Sequence, residues 1–198
     1  MESSAEIDAP DRPATATQIL DAAQDLVQRR GYNAVSYADL AEALDLTTAA
    51  IHYHFPSKAD LGEALVARYR QQNAEIRTAI WDEENTLRDR LTRYVEGYVD
   101  ILEGGGLCLC GVLAADDATL PDPVRQEVRQ FFAEQEDWLT AVIGATHDDG
   151  AGLAGYDTPR QVAQLLLAAI EGAMLTIPDR NPDANRTALR RLIDTIAP

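Results

Sequence analysis

The sequence predicts an all-α fold of about nine helices. Three observations carry this. Apolar residues recur at helical spacing from Thr15 to Ala197, alternation of the strand type is nearly absent, and each periodic stretch opens or closes on a helix start or stop signal. The 198 residues suit one domain, or a small unit fused to a larger one. An apolar content of 46% is enough to bury a core.

The first helix is expected over about 16–30, with Ile19, Ala22, Ala23, Leu26 and Val27 as its buried stripe. Thr15 with Gln18 fits a capping box, and Gly31 a left-handed stop. Residues 1–13 are acidic and lack an apolar signal-peptide core, so they are expected to form a disordered tail. Ser36 with Asp39 opens a second helix. Leu40, Ala41 and Leu44 share its inner face, and Leu46, Ala50 and Ile51 that of a third. Only a tight corner, 45–47, separates the two. Two short helices joined this way form a helix-turn-helix, whose second helix enters the DNA major groove.

Pro56 stops the third helix, and Ser57 with Asp60 starts a long fourth over about 58–81. Leu61, Leu65, Val66 and Tyr69 mark the fourth helix's inner side, and it is expected to link the small unit to the rest. Asn85 or Thr86 opens a fifth helix, which Gly104-Gly105-Gly106 should end in a flexible break. A short apolar helix follows over 107–117. Asp122 as cap and Pro123 in the first turn start the next, which runs to about 144. Residues 146–156 are rich in Gly and Asp and suit a surface loop. Thr158, Pro159 and Gln161 combine cap, first-turn Pro and capping box. The helix they open carries Ala168, Ala169, Gly172 and Ala173 on one side, and Pro178 ends it. A last helix spans about 184–196 with Leu189, Leu192, Ile193 and Ile196. The chain is thereby divided at 13 and 60: a tail, a helix-turn-helix unit over 14–60, and a larger helical domain over 61–198.

Charge argues in the other direction. The net charge is -16, and residues 1–60 hold Arg12, Arg29, Arg30 and Lys58 against ten acidic residues, 4 − 10 = −6. Lys58 is the only lysine. DNA readers usually present a basic face. An acid excess with almost no lysine suits a salt-rich cytoplasm, where self-repulsion is screened. It equally suits an α-helical enzyme or ligand-binding protein with no DNA role. Against an enzyme, the sequence shows no nucleophile–base pair, phosphate loop, metal cluster or carboxylate pair placed for chemistry. No cofactor is implied. Cys108 and Cys110 are too few and too close for a disulfide framework, and zinc is poorly supported. No apolar run nears the roughly 18–20 residues of a membrane span, so a cytoplasmic protein is expected.

The motif outweighs the charge. Arg30-Gly31-Tyr32 followed by Ser36, then Leu40-Ala-Glu-Ala, a corner, and Ile51-His-Tyr-His-Phe-Pro-Ser-Lys58 closely resemble the TetR (tetracycline-repressor-like) family of bacterial transcription regulators. The resemblance covers the chain in layout, and in motif about residues 17–65. It implies a dimeric regulator, most simply a repressor that a small molecule releases from operator DNA. Thr48 and His52 would read bases, while Tyr53 and Lys58 would contact phosphate. From their own chemistry, Thr47 and Ala49 can also meet base edges, and Ser36 and Tyr37 can hold phosphate. Capping for Thr47 and packing for Tyr53 are the competing roles. The family often has Gly at the corner, Lys at the second recognition-helix position and Tyr further on. Asp45, Thr48 and His52 replace them here, so basic contacts are thinner.

In TetR-like proteins the short helix of Cys108 and Cys110 lines a ligand cavity. Both cysteines are read either as buried apolar side chains or as an oxidant or electrophile sensor, which would need exposed, acidic thiols. Tyr94, Tyr98 and Trp138 could line that cavity or pack in a core. Ala168, Ala169, Gly172, Ala173, Leu189 and Leu192 are expected in a four-helix dimer interface.

Overall fold

Among the described residues, 12–145 and 156–198, the computed structural model is built from nine α-helices without strands. They are α1 (Arg12–Arg30), α2 (Tyr37–Leu44), α3 (Thr48–His54), α4 (Lys58–Glu83), α5 (Leu87–Glu103), α6 (Leu109–Ala115), α7 (Asp122–Gly144), α8 (Pro159–Thr176) and α9 (Pro182–Ile196). Two 3-10 turns, Asp117–Thr119 and Pro178–Arg180, join α6 to α7 and α8 to α9. The all-α expectation is met. No described helix is long and apolar enough to cross a membrane. The expected tail, apart from residues 12 and 13, and the expected loop up to residue 155 lie outside the described residues.

Local chemistry sets most helix ends. Capping boxes open α2 (Ser36 with Asp39), α4 (Ser57 with Asp60) and α8 (Thr158 with Gln161). Thr86 and Asn181 cap α5 and α9 by accepting from Asp89 N at 3.1 Å and Ala184 N at 2.9 Å. Gly31 takes a left-handed φ of 87° after α1. Three expectations need correction. α1 begins at Arg12, so Thr15 is a buried residue within the helix rather than its cap. Pro13 lacks the N–H that a first turn leaves unpaired, so the helix can start upstream of Thr15. Asp122 makes no side-chain cap for α7, because it is already the first helical residue and pairs with Arg125 at 2.6 Å. The triple glycine is held in place: Gly104, Gly105 and Gly106 N–H groups bond Asp100 O, Leu102 O and Ile101 O at 2.8–3.0 Å.

The buried side chains form one cluster from Ile19 to Ala197. α1–α3 pack with the first turns of α4, through Leu40, Ile51, Leu61 and Leu65. Further on, α4 lies against α7, α7 against α8, and α5 against α9. Tyr69 of α4 meets the wholly buried Phe131 of α7 with ring centroids 5.4 Å apart. A boundary at 60/61 falls inside the first turn of α4, so the small and large units share that helix.

Further contacts tie the units together. Gln28 and Leu107 bond reciprocally, Nε2 to the Leu107 carbonyl at 2.9 Å and Leu107 N–H to the Gln28 carbonyl at 3.1 Å. Asn33 donates to Thr119 Oγ1 at 2.8 Å. At Gly62 the helices touch so closely that an added Cβ would lie 2.8 Å from Val124 of α7 and 3.0 Å from Tyr32. Both of those side chains are buried and cannot retreat. Gly62→Ala should therefore destabilise the protein by about 1–3 kcal/mol, overpacking outweighing the helix propensity gained. Gly97→Ala, at an exposed site with nothing within 4 Å, should stabilise by about 0.5–1 kcal/mol. Urea denaturation of the two variants beside the parent measures both.

Candidate functional site

The reading unit is α2, a corner and α3. The corner is Asp45, in the left-handed region at φ 53°, ψ 43°. Its N–H bonds back to Glu42 O, and Leu46 N–H to Ala41 O at 2.9 Å, which closes α2. Thr47 caps α3 by accepting from Ala50 N at 3.1 Å. Ile51 is fully buried beneath α3 and holds it down. This leaves Thr47, Thr48, Ala49, His52 and Tyr53 exposed together on the outer surface, Tyr53 at 63%.

His52 is held in one pose. Its ring lies 4.5 Å from the Tyr37 ring, and Nδ1 is 3.1 Å from the Pro56 carbonyl. A carbonyl only accepts, so Nδ1 carries the proton and the neutral ring keeps Nε2 as an acceptor. Tyr37 donates its hydroxyl to the Phe55 carbonyl at 2.7 Å, bracing α2 against the end of α3. Burial, with Asp60 nearby, pushes its pKa up to about 12. Ser36 is engaged by Asp39, whose carboxylate takes its N–H at 2.8 Å. These bonds hold the Asp39 carboxyl below its usual range.

The lone lysine is not an outstretched cation. Lys58 is partly buried, with Nζ 4.5 Å from the centroid of the Tyr32 ring. Burial lowers its pKa, and the nearby Asp116 and Asp39 carboxylates act the other way. Arg29 and Arg30 pair with Asp25 at 2.8 Å and Asp39 at 3.4 Å.

The larger unit holds two cavities that share Arg77. An open groove of about 550 Å³ lies between α4 and α7, lined by Arg77, Trp81, Glu134, Asp137 and Trp138 among others. A more enclosed cavity of about 220 Å³ lies between α4 and α5, lined by Tyr69, Asn73, Arg77, Tyr94 and Tyr98 among others. Tyr94 stacks on Trp138 at 5.1 Å, donates to Gln135 Oε1 at 3.1 Å, and has its oxygen 3.1 Å from that of Tyr98.

Cys108 and Cys110 are fully buried, as the apolar reading expects. Burial first, then Glu171, pushes both thiols well above their ordinary pKa. The exposed, acidic thiols that a sensor needs are not there. Three polar residues at this site escaped the sequence reading: Arg77, Gln135 and Glu171. Each sits on a core-facing stripe, and Glu171 interrupts the apolar run 165–175; that interruption was the available signal.

On α8, Ala168 is exposed, Ala169, Gly172 and Ala173 are half-buried, and Leu175 is 57% exposed. Ala168 and Leu175 are uncovered in the single chain, while Ala169 and Ala173 pack partly against its core. Leu192 is half-buried, but Leu189 is 3% exposed and belongs to the core between α9 and α5. Its place in an interface with a second copy is thereby lost.

An exposed reading helix braced on a helical body defines a helix-turn-helix regulator. Residues 19–65 match the family model described as bacterial regulatory proteins, tetR family. A TetR-family transcriptional regulator from Agrobacterium tumefaciens is 31% identical in sequence. Its structure superposes with a TM-score of 0.88, covering 95% of this chain and all of that one. The nucleoid occlusion factor SlmA of Marinobacter nauticus is 26% identical over 162 residues, 81% of this chain and 82% of its own. The regulator TtgR of Pseudomonas putida is 33% identical over 70 residues, 35% of this chain and 33% of its own. The chain belongs to the TetR family of DNA-binding transcriptional regulators, which are not enzymes.

Glu171 gives a pH signature. Burial raises its carboxyl to about 7, while the hydrogen bond with Cys108 acts in the opposite sense. A carboxyl with a raised folded pKa binds more protons in the native state, so stability falls as pH rises from about 4.5 to 7. Glu171→Gln should remove that fall and leave the protein more stable than the parent at pH 8 by up to about 2–3 kcal/mol. Melting temperatures of both proteins from pH 5 to 8 test it.

Proposed function

We infer that the protein is a homodimeric repressor that releases its operator when a small molecule enters the larger unit. The observation that carries this is the single run of α4. Its first turn closes the DNA-reading unit through Tyr32, whose hydroxyl bonds the Lys58 carbonyl at 2.8 Å. Its later turns wall both cavities through Arg77. A ligand seated there acts on DNA by favouring an α4 position that spoils the half-site spacing of about 34–36 Å. The apolar stripe of α8 gives a second copy its contact, and two reading helices then face two half-sites.

Within each half-site, Thr48, Ala49 and His52 meet base edges. His52 Nε2, as an acceptor, selects the amino group of adenine or cytosine. Tyr53 reaches phosphate, while Ser36, Tyr37 and Lys58 have internal partners and the starts of α2 and α4 carry the Asp39 and Asp60 carboxylates. Thr47 chiefly caps the helix. This reading places the protein in the cytoplasm, with the DNA it reads.

A gel shift with the DNA upstream of its own gene, over a range of salt, tests the core of this reading. No sequence-specific shift at any salt would sink it. His52→Ala should weaken specific binding about tenfold or more, consistent with one lost base contact, while leaving non-specific binding unchanged. Because so few cations meet the backbone, log affinity against log salt should fall with a slope shallower than about −5. A slope near −10 would show that more phosphates are neutralised than the residues here provide.

A further inference from the structure

Among the described residues, the buried hydrogen-bond donors without a protein partner include Arg77 Nη1, Gln135 Nε2 and Trp138 Nε1, where α4 meets α7, besides Arg68 Nε nearer the reading unit. Gln135 is wholly buried and Arg77 is 7% exposed. A buried donor left unmet is costly, more so when it is charged, and native cores hold few of them. Those of Arg77, Gln135 and Trp138 also converge. Arg77 and Trp138 line the same groove, and Tyr94 stacks on Trp138 while holding Gln135 Oε1. That last bond turns the amide so that its donor end is the one left over.

The charges sort the same way. Glu134 lies in the groove wall, but Arg70 binds both its oxygens and binds Glu127 as well. Arg77 reaches Glu134 only at 3.7 Å. Asp137 has Arg160 at 3.6 Å. Arg77 thus has only a share in a carboxylate that Arg70 already holds, and burial lowers its pKa while Tyr94 and Glu134 act the other way. Trp81 and Trp138 complete the wall, one face of Trp81 carrying Arg90 at 4.5 Å and one face of Trp138 the Tyr94 ring at 5.1 Å. A further unpartnered atom, Glu171 Oε1, lies at the α6–α8 contact, where a Cβ on Gly111 would overlap the same carboxylate.

We propose that the groove takes a planar aromatic acid, whose carboxylate meets Arg77 and whose ring lies against the two tryptophans. This rests on the reading of the larger unit as the effector-binding part. Acceptor oxygens satisfy the donors of Arg77 and Trp138, which line the groove, and the aromatic body covers apolar wall.

The protein reports on this site by itself, since its two tryptophans, Trp81 and Trp138, both line the groove. Intrinsic fluorescence of the full-length protein should be titrated with benzoate, salicylate and trans-cinnamate. The matched amides and benzyltrimethylammonium serve as neutral and cationic comparisons. At least one acid should quench saturably below about 1 mM and bind tenfold or more tighter than its amide. Arg77→Met should erase that preference and Arg77→Lys keep part of it. If Arg77→Met fails to fold, the acid-to-amide ratio of the parent still decides. The proposal falls if no acid saturates, if amide and acid bind equally, or if the cation binds tightest. A parallel gel shift separates the two readings. An acid that binds without releasing DNA supports the ligand class and overturns ligand release. An amide or cation that binds and releases DNA does the reverse.

Discussion

Everything in this structure hangs on α4 being one uninterrupted helix of 26 residues. From Lys58 to Arg77 it rises about 28 Å, at roughly 1.5 Å per residue. At one end it is fixed by the Ser57–Asp60 capping box immediately behind the reading helix. At Gly62 it is pressed against α7 and Tyr32 with no room for a methyl group. Further along it carries Arg70 and Arg77 into the carboxylates of α7. Close-packed interiors do not deform smoothly, so a disturbance at Arg77 moves this helix as a body or not at all. The Gln28–Leu107 pair gives α1 a second fixed point on the larger unit. The reading unit is therefore held on two sides, and its orientation follows that of the helices beneath it.

The acid excess, which looked like an argument against DNA, acquires a different sense once the partners are known. The arginines of the reading unit are mostly matched to carboxylates: Arg29 to Asp25, Arg30 to Asp39, and Arg68 of α4 to Asp21. Exposed pairs of this kind contribute little stability. What they do is neutralise cations that would otherwise face the phosphate backbone.

Much of the fold was legible because its signals are local. Ser36 with Asp39, Ser57 with Asp60, and Thr158 with Gln161 each specify a helix start within four residues, and each forms as its pattern says. The left-handed corner was legible for the same reason, since Asp tolerates that conformation better than most residues. Thr15 with Gln18 has the same pattern yet does not open the helix, because helical residues precede it. A local match does not exclude a longer helix. The cavity was less legible. Tyr94, Tyr98 and Trp138 stand out as aromatic stripes, but nothing local marks Arg77 or Gln135 as buried. Only tertiary packing turns them inward, and only the partners of Arg70 reveal that Arg77 has no more than a share in a carboxylate. Leu189 failed for the complementary reason: periodicity marks an apolar face without saying whether its own chain or a second copy covers it.

The two capping boxes beside the reader have one more consequence. Asp39 and Asp60 place carboxylates at the two helix starts where the DNA backbone would approach. A phosphate arriving there meets repulsion unless base contacts on α3 draw the duplex in. Under the proposed function such a protein would linger little on random sequence, and occupancy at the true site would depend on discrimination among competitors rather than on grip.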